Sequence, residues 1–382
     1  MMKVMDARQL KERLSQTAFA FRGYNISNLG RSSELLAHPM YGPLVRKYLL
    51  EASHVCADLT GRRIDLVARV KRRQQTTLKT YDEAMALIMT MERAQVDLLR
   101  EFYGIELRQA KFALGYSLGE IAAVAACGVI DCIDALRVPI EMASDCVALA
   151  ENVTLSVLFS RGRSLPLDAV RKLCLIVNQE GHGVIGISAH LSPNSLLLMG
   201  QGDTTDRFRQ RMSDGLPRNT NLRKNAHRFP PLHTPIMWQR NVPNRAATLM
   251  HTLHGGFTVP DPPILSLVTG ELSYNDYNAR EILHRWVDHP QLLWDAVYET
   301  LTKGIETVVH VGPEPNIIPA TYKRLRDNVE TETKGRLGMR ALTAVVRHPW
   351  IQPLLPERSA LLRAPLIQQV TLEDWLLEQQ PV

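Results

Sequence analysis

Residues 115–120, Gly-Tyr-Ser-Leu-Gly-Glu, constrain the fold of this chain more than any other segment. They match G-x-S-x-G, a nucleophile elbow, in which a serine sits on a sharp turn between a strand and a helix. The context fits on both sides. Lys111-Phe-Ala-Leu114 reads as a buried strand, and the alanine-rich stretch Ile121–Ala126 as a buried helix. Glycines at 115 and 119 let the backbone turn and approach its neighbours without a Cβ clash. Ser117 would stand at the end of a sheet. The helix start after it would offer free N–H groups and partial positive charge where an oxyanion forms. A plainer reading uses the same letters: Ser117 and Glu120 make S-x-x-E, a capping box at an ordinary helix start.

Composition narrows the class. With 382 residues, 45% of them hydrophobic and 22% charged, the chain is long enough for a sizeable core and two lobes. Its longest uncharged apolar run, Ile121–Ile130, is too short to span a bilayer. Charges within residues 1–8 sit where a signal peptide needs an apolar core, so a cytoplasmic location without membrane contact is expected. The cysteine number, five, is odd and includes no C-x-x-C pair, which predicts buried free thiols and neither a disulfide frame nor a zinc site. The net charge of +6 suits phosphate-bearing ligands or an acidic carrier protein. No aromatic-basic interleaving or recognised motif points to nucleic acid. The basic run Arg69–Arg73 reads as a solvated helix face.

Periodicity predicts the following order. Residues 17–22 form a strand ending at the turn Gly23-Tyr24-Asn25, and about 80–103 form a helix. After the elbow helix, Gly128 suits a helix end, and Asp131 opens a helix that Pro139 should kink or end. Residues 153–160 read as a strand, 167–180 as a helix, 184–191 and 196–200 as strands, and 206–213 as a helix. This β-α-β-β-α order is most of a ferredoxin-like unit. Further strands are expected at 264–269 and 307–311, with a Pro-rich tail beyond about 345 and a short amphipathic helix from Thr371.

These residues together resemble the malonyl-CoA:acyl-carrier-protein transacylase family, which includes polyketide-synthase acyltransferase domains. That family carries G-H-S-x-G-E followed by A-G-V-I/L-D; here the elbow is followed by Ala-Cys-Gly-Val-Ile-Asp131. His233-Thr-Pro-Ile-Met237 resembles the family's H-x-x-x-M segment, and Val311-Gly-Pro-Glu-Pro its V-G-P-G strand end. The resemblance covers roughly residues 17 to 330. It implies an α/β fold, with an α/β-hydrolase-like large subdomain (1–148 and 216–382) and an inserted ferredoxin-like small subdomain (149–215). It implies Ser117 as nucleophile and His233 as base, with the histidine oriented by a backbone carbonyl. An acyl group would pass from CoA, through an acyl-serine, to a carrier-protein thiol. No bound cofactor is implied; the CoA thioester is a substrate. The oxyanion hole would use the backbone N–H groups of Leu118 and Tyr24, the latter in Phe21-Arg-Gly-Tyr-Asn25 where the family has F-P-G-Q-G-S-Q.

The chain departs from the pattern at the acyl pocket. Malonyl-specific members place an arginine 25 residues after the nucleophile to clamp the malonyl carboxylate, and that position here is Met142. Arg137 aligns with a different family arginine. Tyr116 replaces the usual histidine before the serine and, with Met142, is expected to shape the acyl pocket. A neutral acyl group, acetyl or longer, is therefore at least as well suited as malonyl. The family's late glutamine has no clear counterpart in Trp286–Gln291. Arg223, Lys224 and Arg228 are expected to be surface residues or to meet phosphates. Two other functions fit the sequence: an acyl hydrolase on the same scaffold, and a catalytically silent binding module.

Overall fold

The computed structural model describes residues 5–161, 164–333 and 357–381. Its centre is a five-stranded sheet in the order β7-β2-β1-β8-β9. The strands are β1 (Thr17–Phe21), β2 (Phe112–Gly115), β7 (Ile264–Leu265), β8 (Thr307–Val311) and β9 (Gln368–Thr371), and every pairing is parallel. Parallel strands need crossovers that place helices on the sheet faces, so such strands read as continuous apolar runs. β1 and β8 show this, with all five residues of each buried. The 23-residue helix Tyr81–Tyr103 is part of the cover.

The second sheet is antiparallel, in the order β4-β5-β3-β6, with β3 (Val153–Ser160), β4 (Ile185–Ser192), β5 (Ser195–Gln201) and β6 (Thr220–Lys224). One face packs on the helices Leu167–Gln179 and Thr204–Arg211 through Leu158, Val170, Leu173, Val177, Leu198 and Phe208. The other face adds Leu155, Ala189, Leu197 and Met199 to the main core. A sheet buried on both faces explains why β5 is apolar rather than alternating.

Most expected elements are present, and the differences have physical reasons. β6 was not foreseen: Thr-Asn-Leu-Arg-Lys is polar, with one half-buried apolar side chain, because it is an edge strand paired only with β3. The expected inserted unit stopped at residue 215, and the antiparallel sheet runs on to residue 224. The strand expected over 264–269 is ladder-paired only at Ile264 and Leu265. Pro139 lies inside the helix Cys132–Glu141, which ends two residues later; a new helix starts at Ala143. Arg69 is not solvated: it is 9% exposed and paired with Glu83 at 2.6 Å. All five cysteines are free, four buried and Cys132 partly so. The expected Pro-rich tail falls largely outside the described residues, but the helix Leu372–Glu378 is present, with Trp375 in the core. Among the described residues no helix is long and apolar enough to cross a membrane, and no cluster of His, Cys, Asp and Glu could hold a metal ion.

Candidate active site

Ser117 sits between β2 and the helix Leu118–Ala126, at the C-terminal end of the parallel sheet. Its φ of 55° and ψ of −120° are a strained conformation for a residue with a side chain. The turn is packed too closely for larger residues at its glycines. A Cβ at Gly115 would come within 2.1 Å of the Gly119 backbone, and one at Gly119 within 2.3 Å of the Phe21 carbonyl oxygen. The strain is held in place from outside the motif. The Ser117 N–H donates to Gln291 Oε1 at 2.9 Å, and the Ser117 carbonyl accepts from the Trp286 indole N–H at 2.8 Å. Glu120, fully buried one turn on, accepts from Ser266 Oγ, Leu267 N–H and Tyr274 O–H. Burial raises its carboxyl to about 7, against those bonds.

His233, 116 residues further along the chain, meets this serine: Nε2 lies 2.7 Å from Ser117 Oγ, and Nδ1 lies 2.7 Å from the Trp286 carbonyl oxygen. A carbonyl only accepts, so in the neutral ring Nδ1 carries the proton and Nε2 offers its lone pair to the hydroxyl. His233 itself has φ 66° and is pinned by its N–H to Val287 O at 2.8 Å. The ring is buried. Burial lowers its pKa to about 4, partly opposed by the Trp286 carbonyl and by Asp288, so the imidazole is neutral at physiological pH. His227, by contrast, is exposed.

The turn after β1 closes over the elbow. A Cβ at Gly23 would lie 2.6 Å from Tyr116 O and 3.3 Å from Ser117 Cβ, which places the Tyr24 backbone beside the serine. The N–H groups of Tyr24 and Leu118 donate to no protein acceptor among the described residues. Two free donors next to a serine–histidine pair suit a developing oxyanion.

A cavity of about 20 Å³ lies against Ser117. Tyr24, Tyr81, Met85, Val138, Met142 and Trp286 are among its walls, and among the described residues no charged side chain lines it. Met142, one of the two residues expected at the acyl pocket, is among these walls. Tyr116 does not: it is buried, but its ring packs against Gly23 because the elbow turns that side chain toward the β1 turn rather than toward the cavity. Arg137 pairs with Asp134 at 3.8 Å, away from this lining. A separate cavity of about 600 Å³ lies between the antiparallel sheet and the helix Ile317–Thr333. Arg161, Arg223 and Arg324 line it beside Phe159 and Trp294, with no acidic side chain among the described lining. Lys224 instead pairs with Asp206, and Arg228 donates to the Glu151 carbonyl.

Gln291 is a residue of this site that sequence reasoning did not single out. Besides holding the Ser117 N–H, its backbone bridges to β4, with its N–H on Ser188 O at 2.9 Å and its carbonyl accepting from His190 N–H at 2.8 Å. The sequence offered only a glutamine five residues after Trp286; what marks it is its 0% exposure, and burial is invisible in a single sequence.

Comparison with known proteins bears on the fold. No protein-family profile matches the chain. Among curated proteins, the polyketide synthase GfsA of Streptomyces halstedii is 26% identical over 307 residues, 78% of this chain. The match takes up 4% of that much longer protein. Among solved structures, the malonyl-CoA:acyl carrier protein transacylase of Xanthomonas oryzae pv. oryzae has a TM-score of 0.65 at 20% identity, over 81% of this chain and 91% of its own. A malonyl-transacylase solved in complex with its type II polyketide acyl-carrier protein has a TM-score of 0.61 at 20% identity, over 81% and 92%. The chain has the fold of these transacylases, a mixed α/β body with a small inserted antiparallel unit.

Proposed function

We propose that this protein is a serine acyltransferase that moves a short, neutral acyl group from CoA to the thiol of an acyl carrier protein, in fatty-acid or polyketide synthesis. The observation that carries the reading is the 2.7 Å contact between His233 Nε2 and Ser117 Oγ, on an elbow flanked by two free N–H donors. His233 takes the serine proton as Oγ attacks the thioester carbonyl, and returns it to the departing CoA thiolate. The carrier's phosphopantetheine thiol then attacks the acyl-serine, its proton passing to His233 and back to the released Oγ. The N–H groups of Leu118 and Tyr24 bind the negative oxygen in both halves.

The pocket supports the choice of a neutral acyl group. A malonyl carboxylate in the cavity of about 20 Å³ would meet only uncharged walls, and an unpaired buried carboxylate costs several kcal/mol. A cavity that small holds about one water-sized group, which suits acetyl; longer chains need the flexible Met142 to move. The phosphates of CoA or of the carrier arm would lie against Arg161, Arg223 and Arg324, where phosphate and guanidinium geometry match. The carrier-protein complex of the similar transacylase supports a carrier as acceptor.

The test is intact-protein mass spectrometry after brief mixing with malonyl-, acetyl- and a longer acyl-CoA in competition, with Ser117→Ala as control. A Ser117-dependent acetyl adduct is expected. A malonyl adduct overturns the neutral-acyl assignment, and no adduct from any donor overturns the CoA-dependent reaction. A chase with carrier protein or buffer then separates transfer from hydrolysis.

A further inference from the structure

Arg22 directly follows β1, just before the turn that carries Tyr24, and it is only 3% exposed. An arginine is rarely buried without a dense set of acceptors. Here every acceptor belongs to that turn or to the segment beneath it. Nε donates to Gly23 O at 2.8 Å, and Nη2 to Asn28 Oδ1 at 2.9 Å and Ser27 O at 3.3 Å. Nη1 donates to the Pro313 carbonyl. The guanidinium thus grips the first and last residues of one turn and ties them to a second turn after β8. Asn28 continues the clasp, accepting from Asn25 N–H at 3.1 Å and donating to Asn25 O at 2.6 Å.

Beneath Arg22 lies the helix Tyr81–Tyr103. Glu92, 0% exposed, accepts the Arg22 backbone N–H at 2.8 Å, and Gln95 accepts the Gly312 N–H at 2.7 Å. The packing leaves no slack: a Cβ at Gly312 would come within 2.6 Å of Arg22 Cγ and 2.9 Å of Glu92 Cγ. Burial lowers the Arg22 pKa to about 10 while Glu92, Glu314 and Glu373 hold it up, so it stays charged at neutral pH. None of these groups reaches the cavity at Ser117.

We infer that Arg22 is a positioning residue for the oxyanion site: its buried guanidinium fixes the Gly23–Asn28 turn so that the Tyr24 N–H stays aimed at the oxygen that turns negative during acyl transfer. This rests on the serine acyl-transfer reading above. A backbone donor has no side chain of its own to hold it in place, so its aim is set by what anchors the turn. A lysine keeps the charge but not the fork that reaches four acceptors on two turns.

The experiment measures the rate of Ser117 acylation, KM, the pH profile and the melting temperature for the wild type, Arg22→Met, Arg22→Lys and Asn28→Ala. The donor is the acyl-CoA that labels the wild type best. Loss of one oxyanion donor costs about 100- to 1,000-fold in rate. Arg22→Met is expected to acylate about 100-fold more slowly, with KM within about threefold and the acid limb set by His233 unmoved. Arg22→Lys and Asn28→Ala are expected to fall between it and the wild type, and they carry the test if Arg22→Met does not fold. Folded variants that acylate within twofold of the wild type overturn the inference. So does a rate loss accompanied by a shifted acid limb, because that places the damage at the Ser117–His233 pair. A wild type that takes no acyl group from any donor overturns instead the reaction on which the inference rests.

Discussion

The helix Leu118–Ala126 borders two cavities that differ in almost every respect. One, of about 710 Å³, is lined by Ala122, Ala125 and Ala126 from that helix and by Cys127 and Cys132 beyond it. The other, of about 20 Å³, lies at its first turn against Ser117. Among the described residues that line the larger space there is no serine–histidine pair. Its arginines are occupied by neighbouring carboxylates: Arg93 by Glu51 at 3.2 Å, Arg100 by Asp97 at 2.9 Å, and Arg108 by Glu106. Burial pushes the Cys127 and Cys132 thiols up, away from the reactive thiolate. The smaller space has a strained serine, a neutral buried base and two unoccupied N–H donors. Convergence of polar groups, not volume, separates a reactive site from a void.

That contrast breaks first at the two residues that define it. Ser117→Ala and His233→Ala are each expected to cut turnover by about 10⁴-fold or more, while the fold survives; steady-state rates beside circular dichroism check this. Acid sensitivity sharpens the same point. His233 must be neutral to take a proton, and its folded-state pKa lies near 4, below the ordinary 6.5. The base form is present above that value and lost as pH falls through it, so kcat/KM should be undiminished at pH 5 and fall about tenfold per unit below 4. A limb near 6.5 would show that the ring is hydrated in solution.

The charge of the small cavity is the next lever. Met142→Arg supplies a guanidinium at a wall of the site and is expected to shift the malonyl-to-acetyl labelling ratio by about tenfold toward malonyl, read by mass spectrometry. The smallest effect belongs to the large cavity. Ala125→Leu fills part of it and should change kcat/KM less than about twofold and stability by no more than about 1 kcal/mol, measured by denaturant titration. A large loss of activity there would mean the two cavities communicate.

How much was legible in the sequence varied with how local the signal was. The elbow was readable because its motif is local: Gly115 answers to the Gly119 and Glu120 backbone of the same turn, although Gly119 answers to Phe21 and Arg22 far away in sequence. β1 and β8 were readable because burial on both faces leaves a mostly apolar run, interrupted in β8 by His310. β6 and β9 were not: each is a polar edge strand defined by one partner, β3 or β8, and its own residues do not announce the pairing. Ser117 and His233 came from motif resemblance, and the imidazole was expected to be oriented by a backbone carbonyl, but the accepting residue, Trp286, could not be named. Gln291 was set aside because spacing from a motif fixes a residue only when the loop length is ordinary. Its role depends on a contact 174 residues away in sequence, to the Ser117 N–H.

The bridge between β4 and Gln291 has a consequence for protein engineering. Ser188 and His190 hold the Gln291 backbone, the Ser188 hydroxyl donates to the Leu232 carbonyl at 3.2 Å, and Leu232 precedes His233, the proposed base. The inserted antiparallel unit is therefore not a cartridge to be exchanged between homologues at its two chain crossings. A chimera cut only at those crossings would carry a foreign edge strand against native catalytic loops. One that also transplants 229–235 and 286–292 would keep the seam intact, and the seam sets the smallest unit that recombination can move.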